Sequence, residues 1–149
     1  MKRILIILTL FISLISLVSC KQIEDINGDD TSLATITEET LLSNAHTSTK
    51  IGTVYFQRGR KITSKASKFS GTEEIQGFTL KNTNITFKVS VTVTGGNFLA
   101  YIVKDGVIIK KFDNNVNDQV FTIEQDNSSV YFRIAGESAK YSLEFEYDK

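Results

Sequence analysis

Residues 85–94 read ITFKVSVTVT: every odd position is apolar (Ile85, Phe87, Val89, Val91, Val93) and every even one polar or charged (Thr86, Lys88, Ser90, Thr92, Thr94). Successive side chains of a strand point to opposite faces, so this alternation predicts a β-strand with one face on a core and the other in water. No helical period accommodates it. A strand of this kind needs a second layer to cover its apolar face, and the chain beyond residue 50 supplies the material for one.

Residues 53–57 predict a first strand through Val54, Tyr55 and Phe56, followed by Arg58-Gly59-Arg60-Lys61. Residues 62–69 and 75–80 predict two more. After the strand at 85–94, Gly95-Gly96-Asn97 is expected to reverse the chain, because glycine reaches the positive φ of tight turns. Residues 98–104 return, Asp105-Gly106 is the strongest hairpin signal in the chain, and residues 107–112 run out again. Turns at Asp113-Asn114-Asn115 and Asp126-Asn127-Ser128 flank a strand at 120–124, and residues 130–135 and 141–147 close the pattern. With about eight short strands and no convincing helix, the expected fold is all-β, an antiparallel β-sandwich or barrel. The length of 149 residues suits one domain.

The beginning of the chain is different material. Lys2 and Arg3 precede residues 4–18, apolar except for Thr9, Ser13 and Ser16, and the run closes on Leu17-Val18-Ser19-Cys20. A basic start, a short apolar stretch and a small-residue end make a secretion signal. Its fifteen residues fall short of the roughly 20 that a helix needs to cross about 30 Å of hydrocarbon. Leu-Val-Ser-Cys resembles the bacterial lipobox, in which the cysteine thiol receives a diacylglycerol before cleavage. The resemblance implies lipidation of Cys20, the only cysteine in the chain, and a mature protein anchored in a cell membrane or outer membrane, facing the periplasm or the exterior. Two or three acyl chains anchor stably where one is marginal, since each buried methylene contributes about 0.8 kcal/mol. Lys21, where Asp would imply retention in an inner membrane, implies onward transport. Residues 21–50 contain many Thr and Ser and no aromatic residue, which reads as a flexible tether. Within it, Thr35 and Glu38 make a capping box for a short helix at 36–44. The expected organisation is a signal peptide at 1–19, a lipidated N-terminus and tether at 20–50, and a β-sandwich at 51–149.

Residues 129–145, SVYFRIAGESAKYSLEF, are similar to the closing strand pair of bacterial pre-peptidase C-terminal domains and related small jelly-roll modules. Tyr131, Ile134, Gly136, Tyr141 and Leu143 stand at the matching places, while Ser129 and Val130 replace the family's usual Gly before the first Tyr. The resemblance implies a jelly-roll-like sandwich serving as a non-catalytic binding or spacer module.

What the chain lacks narrows its chemistry. It has one histidine, His46, which falls in the expected tether, and its one cysteine is the lipidation site. A Ser-His-Asp or Cys-His nucleophile needs a histidine held against its partners, and zinc needs several His or Cys, so no catalytic residue is assigned. Glu73 and Glu74 are adjacent and would point to opposite faces of a strand. Glu144 and Glu146 would share the outward face of the last strand about 7 Å apart, with Glu124 as a candidate neighbour, a spacing that an inverting glycosidase uses and that solvated surface glutamates share. Asp113, Asn114, Asn115 and Asp118 cluster in one turn and offer the oxygens that Ca²⁺ takes, although turns use the same residues for their own hydrogen bonds. No other cofactor is expected. Arg58, Arg60, Lys61, Lys65 and Lys68 form a basic run with no acid between Lys50 and Gly71. Such a run can bind anionic head groups or acidic glycans, or blunt a strand edge against pairing. The 17 basic and 17 acidic residues of the whole chain balance, which gives no general pull toward nucleic acid. The leading expectation is a membrane-anchored binding module for a glycan or an envelope protein. A structural envelope component acting through protein–protein contacts is the alternative, and a carboxylate enzyme comes last.

Overall fold

The computed structural model describes residues 33–149, so the signal peptide, Cys20 and the first part of the tether lie outside the described residues. The described chain runs from a short helix, α1 (Glu38–Leu42), into seven strands: β1 (Ser48–Ile51), β2 (Val54–Arg58), β3 (Lys61–Thr79), β4 (Thr83–Lys104), β5 (Val107–Phe112), β6 (Val116–Asp126) and β7 (Ser129–Asp148). All pairings are antiparallel.

Three of the strands are far longer than a sandwich layer. The 22 residues of β4, at about 3.3 Å each, would reach roughly 70 Å if straight, about twice the width of a domain of this size. They bend instead. The register shifts at Ala66/Phe69 and Phe69/Gly71 in β3 and at Val93/Gly95 and Gly95/Asn97 in β4, and the same level of β7 is crossed between Gly136 and Ala139. Gly96 therefore does not reverse the chain as expected. It holds φ +68 inside a continuous strand, and a Cβ there would stand 2.5 Å from the carbonyl oxygens of Glu137 and Ser138. Gly71, at φ +102, does the same for β3, against the backbone of Thr47 and Ser48. The pairs of short strands expected at 62–69 and 75–80, at 85–94 and 98–104, and at 130–135 and 141–147 are each one bent strand, so these six become three, and β1 is a strand in addition to those expected. The Asp105-Gly106 hairpin forms as expected, with both residues at positive φ (49° and 78°).

Bending folds one sheet into two layers. The first holds β2, residues 61–66 of β3, residues 141–147 of β7, residues 86–93 of β4, and β6. The second holds β1, residues 71–79 of β3, residues 129–136 of β7, residues 97–104 of β4, and β5. Between them Ile62, Phe87, Val89, Val91, Leu143 and Phe145 meet Phe69, Phe98, Ile102, Phe112, Phe132 and Ile134, all buried. Stacked rings join the layers directly: Phe132 on Phe145 at 4.2 Å between centroids and Phe98 on Tyr141 at 4.3 Å. The Tyr141 hydroxyl is matched inside by Ser64 Oγ at 2.9 Å, so the polar tip enters the core with a partner. The architecture is an all-β sandwich, jelly-roll-like in that its layers share bent strands.

A second, smaller apolar cluster lies on the outer face of the second layer. Leu99, Tyr101, Val103 and Ala135 are covered there by Leu41, with Leu33, Ile36 and Leu42 packed around them. Residues 33–47 are thus a strap laid on the sheet, and 48–51 are a strand of it. The expectation of a flexible tether up to residue 50 is corrected for these residues: four apolar side chains and two charged clamps hold them. Helix α1 is shorter than the expected 36–44 and is capped by Thr37, whose side chain accepts from the Thr40 N–H, and not by Thr35.

Candidate functional site

The basic run lies on the β2–β3 hairpin, at the edge of the first layer. Lys61 and Lys65 are exposed on the outward face of β3, where Ile62, Ser64 and Ala66 point inward. Arg58 stands opposite Lys61, Val54 opposite Lys65, and Ile51 opposite Lys68. The five bases are not equivalent. Arg60 is ion-paired with Asp148, and Lys61 Nζ lies 2.5 Å from Glu144 Oε1. The hydrogen bond to Glu144 holds the Lys61 pKa above its ordinary value against the opposing effect of desolvation. Arg58, Lys65 and Lys68 have no ion-pair partner among the described residues.

Beside these bases is a feature that alternation did not reveal. All five residues of β2 are exposed, and Val54, Tyr55 and Phe56 are joined by Ile51. The available signal was Val54-Tyr55-Phe56 itself, three large apolar residues in a row where a half-buried strand would alternate.

The outward face of the first layer continues as a charge ladder. In register across it stand Arg58, Lys61, Glu146 and Lys88, with Asp118 of β6 3.3 Å from Lys88 Nζ. Glu144 and Glu146 share this face as expected, and each is set against a cation. Glu124 is not their neighbour, because β6 pairs with β4 and leaves β4 between it and β7. At one end of the ladder Arg60, Thr86, Lys88, Glu146, Tyr147 and Asp148 line an open cleft of about 390 Å³ with two charges of each sign.

Three of the candidate calcium ligands, Asn114, Asn115 and Asp118, have side-chain partners within the fold. Asn115 Oδ1 accepts from the Val93 N–H at 2.9 Å, the Asn114 amide donates to the Phe98 carbonyl at 2.9 Å, and Asp118 engages Ser90 and Lys88. Asp113 meets Gln119 through its backbone. Asn115 and Asp118 also take positive φ (60° and 57°), which Asn and Asp tolerate, so turn formation accounts for these residue types. Among the described residues no group of three or more His, Cys, Asp or Glu is placed to hold a metal ion, and no helix is long and apolar enough to cross a membrane.

Two clamps fix the strap. Arg133, 1% exposed, lies on the outer face of the second layer. Its Nη1 donates to the carbonyls of Leu41, Leu42 and Ser43 at 3.1–3.4 Å, and its Nη2 to Asn44 Oδ1 at 3.0 Å and Glu74 Oε2 at 3.4 Å. A cation is thereby placed against the end of α1, where its carbonyls lack intrahelical partners. The Tyr101 hydroxyl donates to the Leu41 carbonyl at 3.0 Å, and burial pushes its pKa up to about 12. His46, expected to be loose, lies 3.7 Å from the same Glu74. At the other end the Glu137 carboxylate accepts from the backbone N–H groups of Ala34, Thr35 and Ile36, from Thr35 Oγ1 and from the Asn97 amide. Desolvation works to raise its pKa, but these donors outweigh it and hold the value at about 2.

No family model matches the chain, and no curated protein matches it. Among solved structures, a cupin superfamily protein from Desulfitobacterium hafniense DCB-2 is similar over 69% of this chain and 77% of that one, at 17% identity and a TM-score of 0.29. At that level the likeness carries no argument, and the architecture above rests on the strands themselves.

Proposed function

We propose that the protein is a lipid-anchored, extracytoplasmic envelope protein whose β-sandwich is a non-catalytic binding module. The observation that carries the reading is Leu17-Val18-Ser19-Cys20 at the end of a short apolar run, with the only cysteine of the chain at the acceptor position. The surface chemistry supports the second half of it. Asp148, Glu144 and Asp118 of the first layer are ion-paired with Arg60, Lys61 and Lys88, as on a solvated face, while Arg58, Lys65 and Lys68 of the basic run stand together on the β2–β3 hairpin and its bend without an ion pair among the described residues.

The test is metabolic labelling with a radioactive fatty acid. The wild-type chain is expected to take up label and to sediment with membranes, while Cys20→Ala loses the label and accumulates with its signal segment uncut. An equally labelled Cys20→Ala chain would overturn the anchor. Protease treatment of intact cells then separates the two modes of action. Cleavage from outside supports a module with an external ligand, and cleavage only after permeabilisation favours a structural component acting through protein–protein contacts.

A further inference from the structure

We infer that the β2–β3 hairpin, with the adjoining end of β1, is a second membrane contact, a ribbon that settles into the head-group region of an anionic lipid surface. The source of that surface rests on the lipid-anchored reading above. The chemistry of the ribbon does not.

Ile51, Val54, Tyr55 and Phe56 are 57%, 54%, 52% and 59% exposed, four large apolar side chains within six residues. They do not share one face. Val54 and Phe56 stand beside Lys65 and Thr63 on the outward side, whereas Tyr55 stands beside Ser64, which is buried. β2 therefore overhangs the rim of the core, wet on both faces. A protein groove would bury one face of such a ribbon and leave the other in water. A lipid interface surrounds both, accepts a Tyr at its polar boundary, and lets Lys and Arg extend their charged heads back to the phosphates.

Charge selects the kind of surface. Arg58, Lys65 and Lys68, the three bases of the run without an ion pair among the described residues, flank these four apolar side chains in register. An anionic surface would neutralise all three. A second copy of the chain would not: β2 paired antiparallel with its twin would bring two such sets of cations together. The length of chain preceding the described residues is compatible. Thirteen positions separate Cys20 from Leu33, a reach of at most about 45 Å when fully extended, comparable with the domain's width, so the anchor leaves the hairpin within reach of the membrane. Tethering raises the local concentration of lipid seen by the ribbon, and a contact that is weak on its own then becomes populated.

The chain contains no tryptophan, so Phe56→Trp introduces a single fluorescent reporter at an already exposed position. The full lipidated protein carrying it is reconstituted on vesicles of phosphatidylcholine, with or without phosphatidylglycerol, whose acyl chains are brominated. Val120→Trp on β6, a site 64% exposed, serves as control. In anionic vesicles the emission of the hairpin reporter is expected to shift to the blue and to be quenched at least twofold more than in neutral vesicles. Lys65→Glu with Lys68→Glu should abolish the difference, and the β6 control should show neither effect. Flotation of the vesicles reads the anchor separately. Protein that floats while the hairpin reporter behaves as the control does overturns the hairpin contact and leaves the anchor standing. Protein that does not float overturns the anchor, and quenching of the hairpin reporter by vesicles added from outside then decides the contact alone. A blue shift that grows with protein concentration without lipid, and is unchanged by vesicles, would assign the ribbon to a second copy and overturn the proposal.

Discussion

The same three bent strands supply both outer faces of the sandwich, and the two faces are finished in opposite ways. In the first layer β4 alternates as ITFKVSVTVT, so its outward side chains are Thr86, Lys88, Ser90 and Thr92, and water covers them. In the second layer the same strand reads FLAYIV over residues 98–103, and all six are buried. An antiparallel strand without alternation is apolar on both sides and must be covered on both. Its inner side meets the core, and its outer side meets the strap. β7 repeats the contrast, with VYFRIA in the second layer and YSLEFEY in the first. An unbroken apolar run in an otherwise alternating strand is thus a request for a covering segment, and here residues 33–47 answer it.

The covered face should be far more sensitive to the loss of one charge than the bare one. Arg133→Ala would leave the carbonyls of Leu41, Leu42 and Ser43 without their donor and Glu74 without its buried partner, a kind of loss that costs about 3–4 kcal/mol. The expected outcome is a lower urea midpoint together with rapid proteolysis within residues 33–47. Arg133→Lys keeps the charge but cannot reach three carbonyls and two side chains with one ammonium, so it should fall between. A wild-type-like midpoint for Arg133→Ala would mean that the apolar contacts of Leu41, Leu33 and Ile36 hold the strap unaided.

Much of this plan could be read from residue order, and the exceptions share a cause. Alternation marked the core side of β4 over residues 85–94, and Asp105-Gly106 marked a hairpin whose positive φ values are required locally. Gly95-Gly96 looked the same locally and is a bend. What decides between turn and bend is not in that stretch but in β7, whose carbonyls at Glu137 and Ser138 lie against Gly96. The strap was read as a tether for the same reason. Its own residues are mostly Thr, Ser and charged, and what fixes it is a carboxylate 103 residues from Ala34 and a guanidinium 92 residues from Leu41. The basic run was legible as a run. Which of its members are free depended on Asp148 and Glu144 arriving from the last strand, and the exposure of Val54, Tyr55 and Phe56 depended on β2 being an edge with no layer beneath it.

Glu137 gives the comparison a pH axis. Its folded pKa of about 2 lies below the value of roughly 4.3 for an unfolded glutamate, so its contribution is complete above the unfolded value and is lost as pH falls through about 4 toward 2. Glu137→Gln removes the charge but keeps one acceptor oxygen, and should cost about 1 kcal/mol at pH 7. The gap in urea midpoint between wild type and Glu137→Gln should then narrow from pH 5 to pH 2.5. A gap that stays constant over that range would mean that the carboxylate's charge does not hold the strap.

The smallest effect belongs to the bare face. Lys88 is half-exposed, lies in register with Glu146 and pairs with Asp118 at 3.3 Å, the kind of contact that exposed ion pairs make in high dielectric. Lys88→Ala is expected to change stability by less than about 0.5 kcal/mol, and 1 M salt should erase even that difference. Measured in the same urea series as Arg133→Ala, the ratio of the two effects tests the contrast directly. If Lys88→Ala destabilised the protein as much as Arg133→Ala, the ladder would be holding the first layer together as firmly as the strap covers the second, and the two faces would differ in composition only. A ratio of several-fold would instead mean that the charges of the first layer can be replaced with little loss of stability, because high dielectric already screens them.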